Sequence, residues 1–288
     1  MSITTRDVTT VVPTLGRPAL SRALESVRGQ TGAGGRTIVV LDDPSREDQV
    51  RSLLEDEVLL VTAGRTGGAN ARSIGARAAE TSHIAFLDDD DWWEPEKLAR
   101  QVEALSESSA DLCYTATYFH ESGDGVRRLP TRELAAGQSV ASYLVARPGL
   151  KHGSGYIQTS SLLASRRLVD EHPWDPSMKK HQDWDLVARW AAADARMTFV
   201  PLPLVHVQQG SAASISKTAD WRASAAWLAR HGDALDSRAY ADFVATQMLR
   251  GALSARDPRG VLASVAELSR RRPHVAAMIV GLHGLVEK

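Results

Sequence analysis

"IAFLDDDDWWEPEKL", Ile84–Leu98, decides how the first half of the chain is read. Ile84–Leu87 reads as the end of a buried strand. Four aspartates, Asp88–Asp91, follow without a break, then Trp92 and Trp93, and Pro95 stands near the first turn of a helix. Adjacent carboxylates repel, and burying them unpaired is costly, so a positive group has to compensate them: a metal ion or a basic partner. One aspartate suffices to favour a following helix N-terminus, by roughly 0.3–1 kcal/mol. Four exceed that need. Alternate side chains of an extended chain share a face, which predicts Asp88 and Asp90 on one side. Two carboxylates there make a hard oxygen site that suits Mg²⁺ or Mn²⁺ and leaves positions for water or phosphate oxygens. Asp91 is expected to cap the Pro95 helix.

Upstream, strand and helix signals alternate. "VTTVV" (Val8–Val12) reads as a strand that ends at Pro13, and "PALSRALESVRGQ" as a helix with Leu20, Ala23, Leu24 and Val27 on one face. "TIVVL" (Thr37–Leu41) and "VLLV" (Val58–Val61) read as strands, "SREDQVRSLLED" as a helix with Ser45 at its N-cap, and "GGANARSIGARAAE" as a helix rich in small residues. With strand His83–Leu87 and helix "EPEKLARQVEALS" this is β-α-β-α-β-α-β, which predicts a mostly parallel sheet flanked by helices. In such sheets ligands bind beyond the carboxyl ends of the strands. Three loops converge there: Pro13–Pro18, Asp42–Ser45 and Asp88–Trp93.

Asp42–Asp43 is good turn chemistry, and equally a carboxylate pair for a base or ribose. Arg72 is either a surface arginine or the basic partner of a nucleotide. Asp183 and Asp185 open the helix "QDWDLVARWAAAD", where aspartate caps well, but a base for a sugar hydroxyl is also commonly an aspartate. "DLCYTATYFH" reads as a strand, "SSLLASRRLVDE" as a strand running into a helix, and "MTFVPLPLVHVQ" as extended and broken by two prolines. Beyond about Lys217 strand signals stop, and two to four helices are expected. The expected division is 1–216 and 217–288.

The chain has 288 residues, 43% hydrophobic and 24% charged, enough for a sizeable core. A net charge of -1 gives no general attraction to nucleic acid, which excludes it as an expected partner, or to anionic lipid. Cys113 is the single cysteine, which excludes an intramolecular disulfide and a cysteine zinc site. The N-terminus lacks signal-peptide organisation, and no apolar run approaches the roughly 20 residues of a membrane span. The expectation is a cytoplasmic protein. "AELSRRRPHVAAMIVGLHGLVEK" joins Arg270–Arg272 to an apolar stretch. It reads either as a peripheral contact at the inner membrane face or as a packing helix or homodimer contact.

Taken in order, "TVVPTLGRPALSRALESVRGQT", "IVVLDD", "GGANARSIGARAAETSHIAFLDDDDWWEPEKLARQV", "SSLLASRRLVDE" and "HQDWDLVARWA" resemble the family-2 glycosyltransferases, which have the GT-A fold. The resemblance covers about Val8 to Ser216. It implies a nucleotide-sugar donor, with a UDP-sugar favoured, a divalent cation (Mn²⁺ or Mg²⁺), and an acceptor hydroxyl on a glycan, a lipid-linked molecule or a small molecule. It also implies inversion by direct displacement. Position by position, Asp90 matches the metal aspartate of the Asp-x-Asp motif and Asp88 its first aspartate. Asp88 and Asp89 are candidates for ribose or metal-water contacts. Asp43 matches the base-contacting aspartate, Pro13 and Thr14 the loop that borders the base, Arg72 the basic residue facing the nucleotide, and Asp183 the catalytic base. Trp92 and Trp184 are candidates for the acceptor pocket, because flat aromatic faces suit sugar rings. His206, beside "VQQGSAAS", is either a metal or diphosphate contact or a strand-end histidine. Leu15 and Gly16 depart from the family's usual aromatic and asparagine, Pro44 from its glycine, and Ser73 from its asparagine. A non-catalytic nucleotide-sugar-binding module is the alternative, and the presence of Asp183 beside Asp90 argues against it.

Overall fold

In the computed structural model the elements run β1 (Val8–Thr14), α1 (Leu20–Arg28), β2 (Arg36–Leu41), α2 (Glu47–Arg51), β3 (Val58–Val61), α3 (Gly68–Ala78), β4 (His83–Phe86), β5 (Trp92–Trp93), α4 (Lys97–Ser108), β6 (Leu112–His120) and β7 (Val126–Leu129). Then come α5 (Val140–Val145), β8 (Leu163–Ser165), α6 (Arg166–Glu171), α7 (Gln182–Ala192), β9 (Met197–Gln208), α8 (Trp221–His231) and α9 (Ser237–Phe243). A π-helical stretch, Val244–Leu249, leads to α10 (Arg250–Ser254), α11 (Pro258–Leu268) and α12 (Val275–Leu282). The structure describes residues 3–32, 35–121, 125–150, 153, 155–208 and 219–286. The boundary expected at 216/217 therefore lies outside the described residues, as does most of "VQQGSAAS".

Two units form. The first comprises Met1–Leu129, Ile157–Pro176 and Arg189–Gln209; the second comprises Pro130–Tyr156, Ser177–Ala188 and Gly210–Lys288. The first holds the sheet, in the order β3-β2-β1-β4-β8-β6-β9-β5 with β7 also on β6. Strands β3, β2, β1 and β4 are parallel, as their alternation with helices predicts. β8 then pairs antiparallel with both β4 and β6, β9 runs parallel to β6, and β5 runs antiparallel to β9. The sheet is thus parallel in its first four strands and mixed beyond them. All seven residues of β1 and all four of β4 are buried, as strands covered on both faces must be. Helix α3 lies close on the sheet because residue 75 is glycine. A Cβ there would stand 2.4 Å from Val11 Cγ1.

Pro13 does not end the first strand. β1 runs on to Thr14, whose carbonyl accepts from the Asp42 amide at 2.8 Å, while the Val11 carbonyl accepts from Leu87 at 3.1 Å. Successive residues of a strand face opposite neighbours, so Pro13 faces the β4 side, where the ladder has already stopped at the Val11–Phe86 pair. No partner there needs the amide hydrogen that proline lacks. Nor do Pro201 and Pro203 break β9. They fall where the register with β6 shifts, between Thr115 and Thr117, and bulges tolerate proline. Ser45 is not an N-cap. Asp43 takes that place, accepting from the Ser45 amide at 3.2 Å and from its hydroxyl at 2.6 Å, ahead of a 3₁₀ turn that leads into α2.

Lys97 is fully buried in the first turn of α4. Its ammonium donates to Gln101 Oε1 at 2.6 Å and lies 3.9 Å from the centre of the Trp93 ring. Burial pulls its pKa down to about 7. The unfolded chain, with a lysine pKa near ~10.4, then holds a proton the folded chain lacks between those values, so this group makes stability rise with pH across that window. Below about 7 both states are protonated and the full cost of burying the charge remains. Lys97→Met is therefore expected to gain stability by a few kcal/mol more at pH 6 than at about pH 9.5, measured by urea unfolding. A gain independent of pH would show that the amine is not held near neutrality.

The second unit is helical. From Ala219 onward the described residues contain no strand, and α9, the π-helical stretch and α10 run on as Ser237–Ser254. This makes four helical runs in the C-terminal region. Asp242, fully buried, accepts from the Arg147 and His274 amides at 2.7 Å each and from His274 Nδ1 at 2.6 Å. Among the described residues no helix is long and apolar enough to cross a membrane.

Candidate active site

The four aspartates form a turn between β4 and β5, closed by the Asp91 amide on the Asp88 carbonyl at 3.1 Å. Their side chains turn to different, partly shared partners. Asp88 pairs with the Arg72 guanidinium, and its amide donates to Ser160 Oγ at 3.0 Å. Asp89 accepts from Thr14 Oγ1 at 2.6 Å and lies 3.4 Å from Arg17 Nη1. Asp90 accepts from the same Arg17 Nη1 at 3.1 Å. Asp91 accepts from Ser160 Oγ at 2.7 Å, Gln158 Nε2 at 2.9 Å and the Gln208 amide at 3.0 Å. Asp91 is thus committed to holding the 3₁₀ turn Thr159–Ser161 before β8 and the end of β9, and does not cap α4.

Exposure alternates along the turn. Asp89 and Asp91 are buried, whereas the Asp88 and Asp90 side chains keep 23% and 29% of their surface open. The two carboxylates that reach solvent are the ones at Asp-x-Asp spacing. Burial raises the pKa of Asp89 and raises that of Asp91 well above the usual carboxylate range, with neighbouring aspartate charge adding to both. Burial, then the charges of Asp88 and Asp89, push Asp90 up to about 6 despite Arg17. The turn is therefore overloaded with negative charge at the position open to solvent.

Arg72 reaches Asp88 from the first half of α3, with its guanidinium 4.7 Å from the centre of the Trp174 ring. Gly68 makes room for it, since a Cβ at that position would lie 3.0 Å from Arg72 Nη1. Thr14 stands at the end of β1, where its hydroxyl accepts from the Gly16 amide at 2.9 Å while donating to Asp89. Pro13 is the buried residue before it. Asp43 stays with Ser45 and lies 3.7 Å from Arg46. Its buried neighbour Asp42 organises the next loop, accepting from Thr62 Oγ1, Thr66 N and Oγ1, and Gly67 N at 2.5–3.0 Å. Burial opposes the Asp42 charge, but these bonds outweigh it and hold the pKa below its ordinary value.

Trp92 carries the Arg22 guanidinium 3.6 Å from its ring centre and lies parallel to the His206 ring at 4.6 Å. His206 has both nitrogens engaged, with Glu94 Oε1 at 2.8 Å and His120 Nε2 at 2.9 Å. Trp93 is buried, its Nε1 donating to the Ser160 carbonyl at 2.9 Å.

Asp183 and Trp184 belong to the second unit, in the first turn of α7. Asp183 Oδ1 accepts from the Trp184 amide at 2.9 Å. Just before the helix, His181 adopts φ +58°, donor or acceptor to Ser224 Oγ at 3.0 Å, and stacks on Trp184 at 4.8 Å. Asp185 is buried and held by Arg230 at 3.0 Å and His231 at 2.8 Å. The turn that carries Asp183 is thus anchored on α8 from both sides.

Arg17, Gln158 and Ser160 were not among the residues expected from sequence. Arg17 had a signal, as the basic residue in the loop after β1. Gln158 and Ser160 had none, because they reach the turn only through the antiparallel pairing of β8 with β4.

Among the described residues no group of three or more His, Cys, Asp or Glu side chains is placed to hold a metal ion. A hard cation bound through one or two carboxylates, with ligand oxygens completing its shell, needs no such group. Asp90 and Asp88, the two members of the turn whose side chains reach solvent, offer that donor set.

The family model for Glycosyl transferase family 2 matches residues 9–171. The amylovoran biosynthesis glycosyltransferase AmsB of Erwinia amylovora is 25% identical over 182 residues, 59% of this chain and 58% of that protein. The succinoglycan biosynthesis proteins ExoW and ExoO of Rhizobium meliloti are each 27% identical, over 179 and 289 residues. These matches cover 56% of this chain and 54% of ExoW, and 92% of this chain and 78% of ExoO. The chain thus spans little more than half the length of AmsB and ExoW. S. aureus TarS 1-349, in complex with UDP-GlcNAc, superposes with a TM-score of 0.64 at 14% identity, covering 96% of this chain and 81% of that one. The mannosyltransferase PcManGT of Pyrobaculum calidifontis, in complex with GDP-Man and Mn²⁺, gives a TM-score of 0.56 at 17% identity, covering 97% and 74%. These two likenesses establish the fold.

Proposed function

The chain belongs to glycosyltransferase family 2, and on that premise we propose that it transfers a sugar, with inversion, from a nucleoside-diphosphate donor to an acceptor hydroxyl. The observation that carries this reading is the turn Asp88–Asp91. It stands beyond the carboxyl ends of β1 and β4, presents Asp88 and Asp90 to solvent, and is backed by Arg17 and Arg72.

Asp90, with Asp88, would hold the Mn²⁺ or Mg²⁺. When bound, that ion would offset the charge of the departing diphosphate. Thr14 keeps Asp89 in place, and Asp91 ties the turn to the 3₁₀ turn before β8 and to the end of β9, so the two open carboxylates are held on a rigid base. Arg17 and Arg72 are the cations nearest the donor phosphates in this reading, and Pro13 and Asp43 border the base. Asp183 is proposed as the general base. It takes the proton as the acceptor oxygen bonds to the anomeric carbon and the carbon–phosphate oxygen bond breaks, so the nucleotide leaves as the diphosphate. Its support is its place at the open first turn of α7 and its match to the family pattern.

A thermal-shift series with UDP, GDP and dTDP, each with and without Mn²⁺, tests the reading. One nucleotide, expected to be UDP, should raise the melting temperature only when Mn²⁺ is present. Saturation at about 100 times Kd corresponds to ~2.7 kcal/mol. No shift with any nucleotide and metal would remove the donor site from the proposal. A shift without turnover of any nucleotide sugar would instead favour a binding module.

A further inference from the structure

We propose that the exposed face of α12, with the arginines that precede it in the chain, docks on an anionic lipid surface. Helix α12 reads VAAMIVGL and is apolar all round. Its packed side uses small residues: Ala276, Ala277 and Gly281 are buried, and a Cβ on Gly281 would lie 2.6 Å from the Ala245 carbonyl oxygen. Three of the large residues point the other way, while Met278 and Val280 are half-buried. Val275, Ile279 and Leu282, at helical spacing on one face, are 77%, 52% and 48% exposed, and Leu285 and Val286 extend the exposed apolar surface. On α11, Leu262 and Val265 are exposed as well. Single exposed apolar residues are normal, but a stripe of them is not. A helix apolar on every side belongs in a core or in lipid.

The charges select the occupant. Asp257 and Glu267 are the acidic residues between 256 and 286, and both are engaged: Asp257 with Arg222 at 2.9 Å, Glu267 with Arg271 at 2.9 Å. Arg256, Arg259, Arg270 and Arg272 are exposed and make no ion pair among the described residues. Pairing of this face with a second copy would bring like charges together, whereas anionic headgroups neutralise them. The whole chain has a net charge of -1, so the attraction is local to this segment. At eight residues α12 can lie in the interface but not span it. Docking of this kind does not depend on the chain being a glycosyltransferase.

Co-sedimentation of the full chain with lipid vesicles tests the proposal. Vesicles about one-third phosphatidylglycerol should carry the protein down, phosphatidylcholine alone should not, and about 0.5 M salt should release it as the screening length shrinks. Ile279→Glu with Leu282→Glu should abolish binding. Both side chains are half-exposed, so folding, checked by circular dichroism, should survive. Arg270→Gln with Arg272→Gln should weaken binding roughly 25-fold, about fivefold for each basic residue lost near an anionic surface. No sedimentation with the anionic vesicles would overturn the proposal, as would unchanged binding by either double variant. A concentration-dependent dimer in sedimentation velocity, lost with Ile279→Glu and Leu282→Glu, would assign the face to a second copy instead.

Discussion

Asp183→Asn is expected to lose sugar transfer by about 10³-fold while nucleotide and Mn²⁺ still raise the melting temperature as in the parent. Asparagine keeps an oxygen that can accept from the Trp184 amide, so that bond in the first turn of α7 is kept while the ability to take a proton goes. The surrounding anchors, His181 on Ser224 and Asp185 on Arg230 and His231, are untouched. The measurement is turnover with the donor found by thermal shift, read beside that shift for the same variant. Full transfer would take the base assignment away from Asp183. Loss of both transfer and nucleotide binding would show that the residue supports the fold rather than the proton transfer.

Asp90→Asn is expected to act on the other half of the reaction. The Mn²⁺-dependent part of the nucleotide shift should disappear and transfer should fall by at least about 10²-fold, because the charge that offsets the leaving diphosphate is no longer held. Stability in the absence of ligand should rise at neutral pH, because the burial and like charge that push the Asp90 pKa to about 6 are costs a neutral asparagine does not bear. The side chain is partly open, and its one side-chain ion pair is with Arg17, itself a third exposed. Removing the carboxylate also takes a like charge away from Asp88 and Asp89. Retained metal dependence in this variant would move the cation to another residue. The Asp183 and Asp90 variants together separate donor binding from chemistry: one should lose turnover with binding kept, the other should lose both.

The alternation of β-branched runs with amphipathic stretches was legible because parallel strands must be apolar on both faces and their crossover helices on one. That logic carried β1 to β4, α1, α3 and α4. It failed where backbone partners, not side chains, decide. Pro13 stays in β1 because the neighbouring strand has ended, and Pro201 and Pro203 stay in β9 because the register shifts there. Asp43 rather than Ser45 caps the turn after β2 for a similar local reason, since its oxygen reaches the Ser45 amide two residues on.

The candidate site divides the same way. The Asp-x-Asp spacing was visible in the string, and the structure shows Asp88 and Asp90 as the two members of the run with open side chains. What holds them was not visible. Arg17 lies 73 residues from Asp90 in the chain, and Ser160 lies 69 from Asp91.

By itself, then, the sequence determined the strand–helix alternation and the clustering of carboxylates at a strand end, because these follow from periodicity and local spacing, while the family followed from the likeness of its motifs. Only the tertiary structure decided the division of labour among the four aspartates. Burial and hydrogen-bond partners assign it, and residues distant in the chain supply both. It likewise decided that α12 turns Val275, Ile279 and Leu282 outward, because composition is blind to which face of an apolar helix finds a partner.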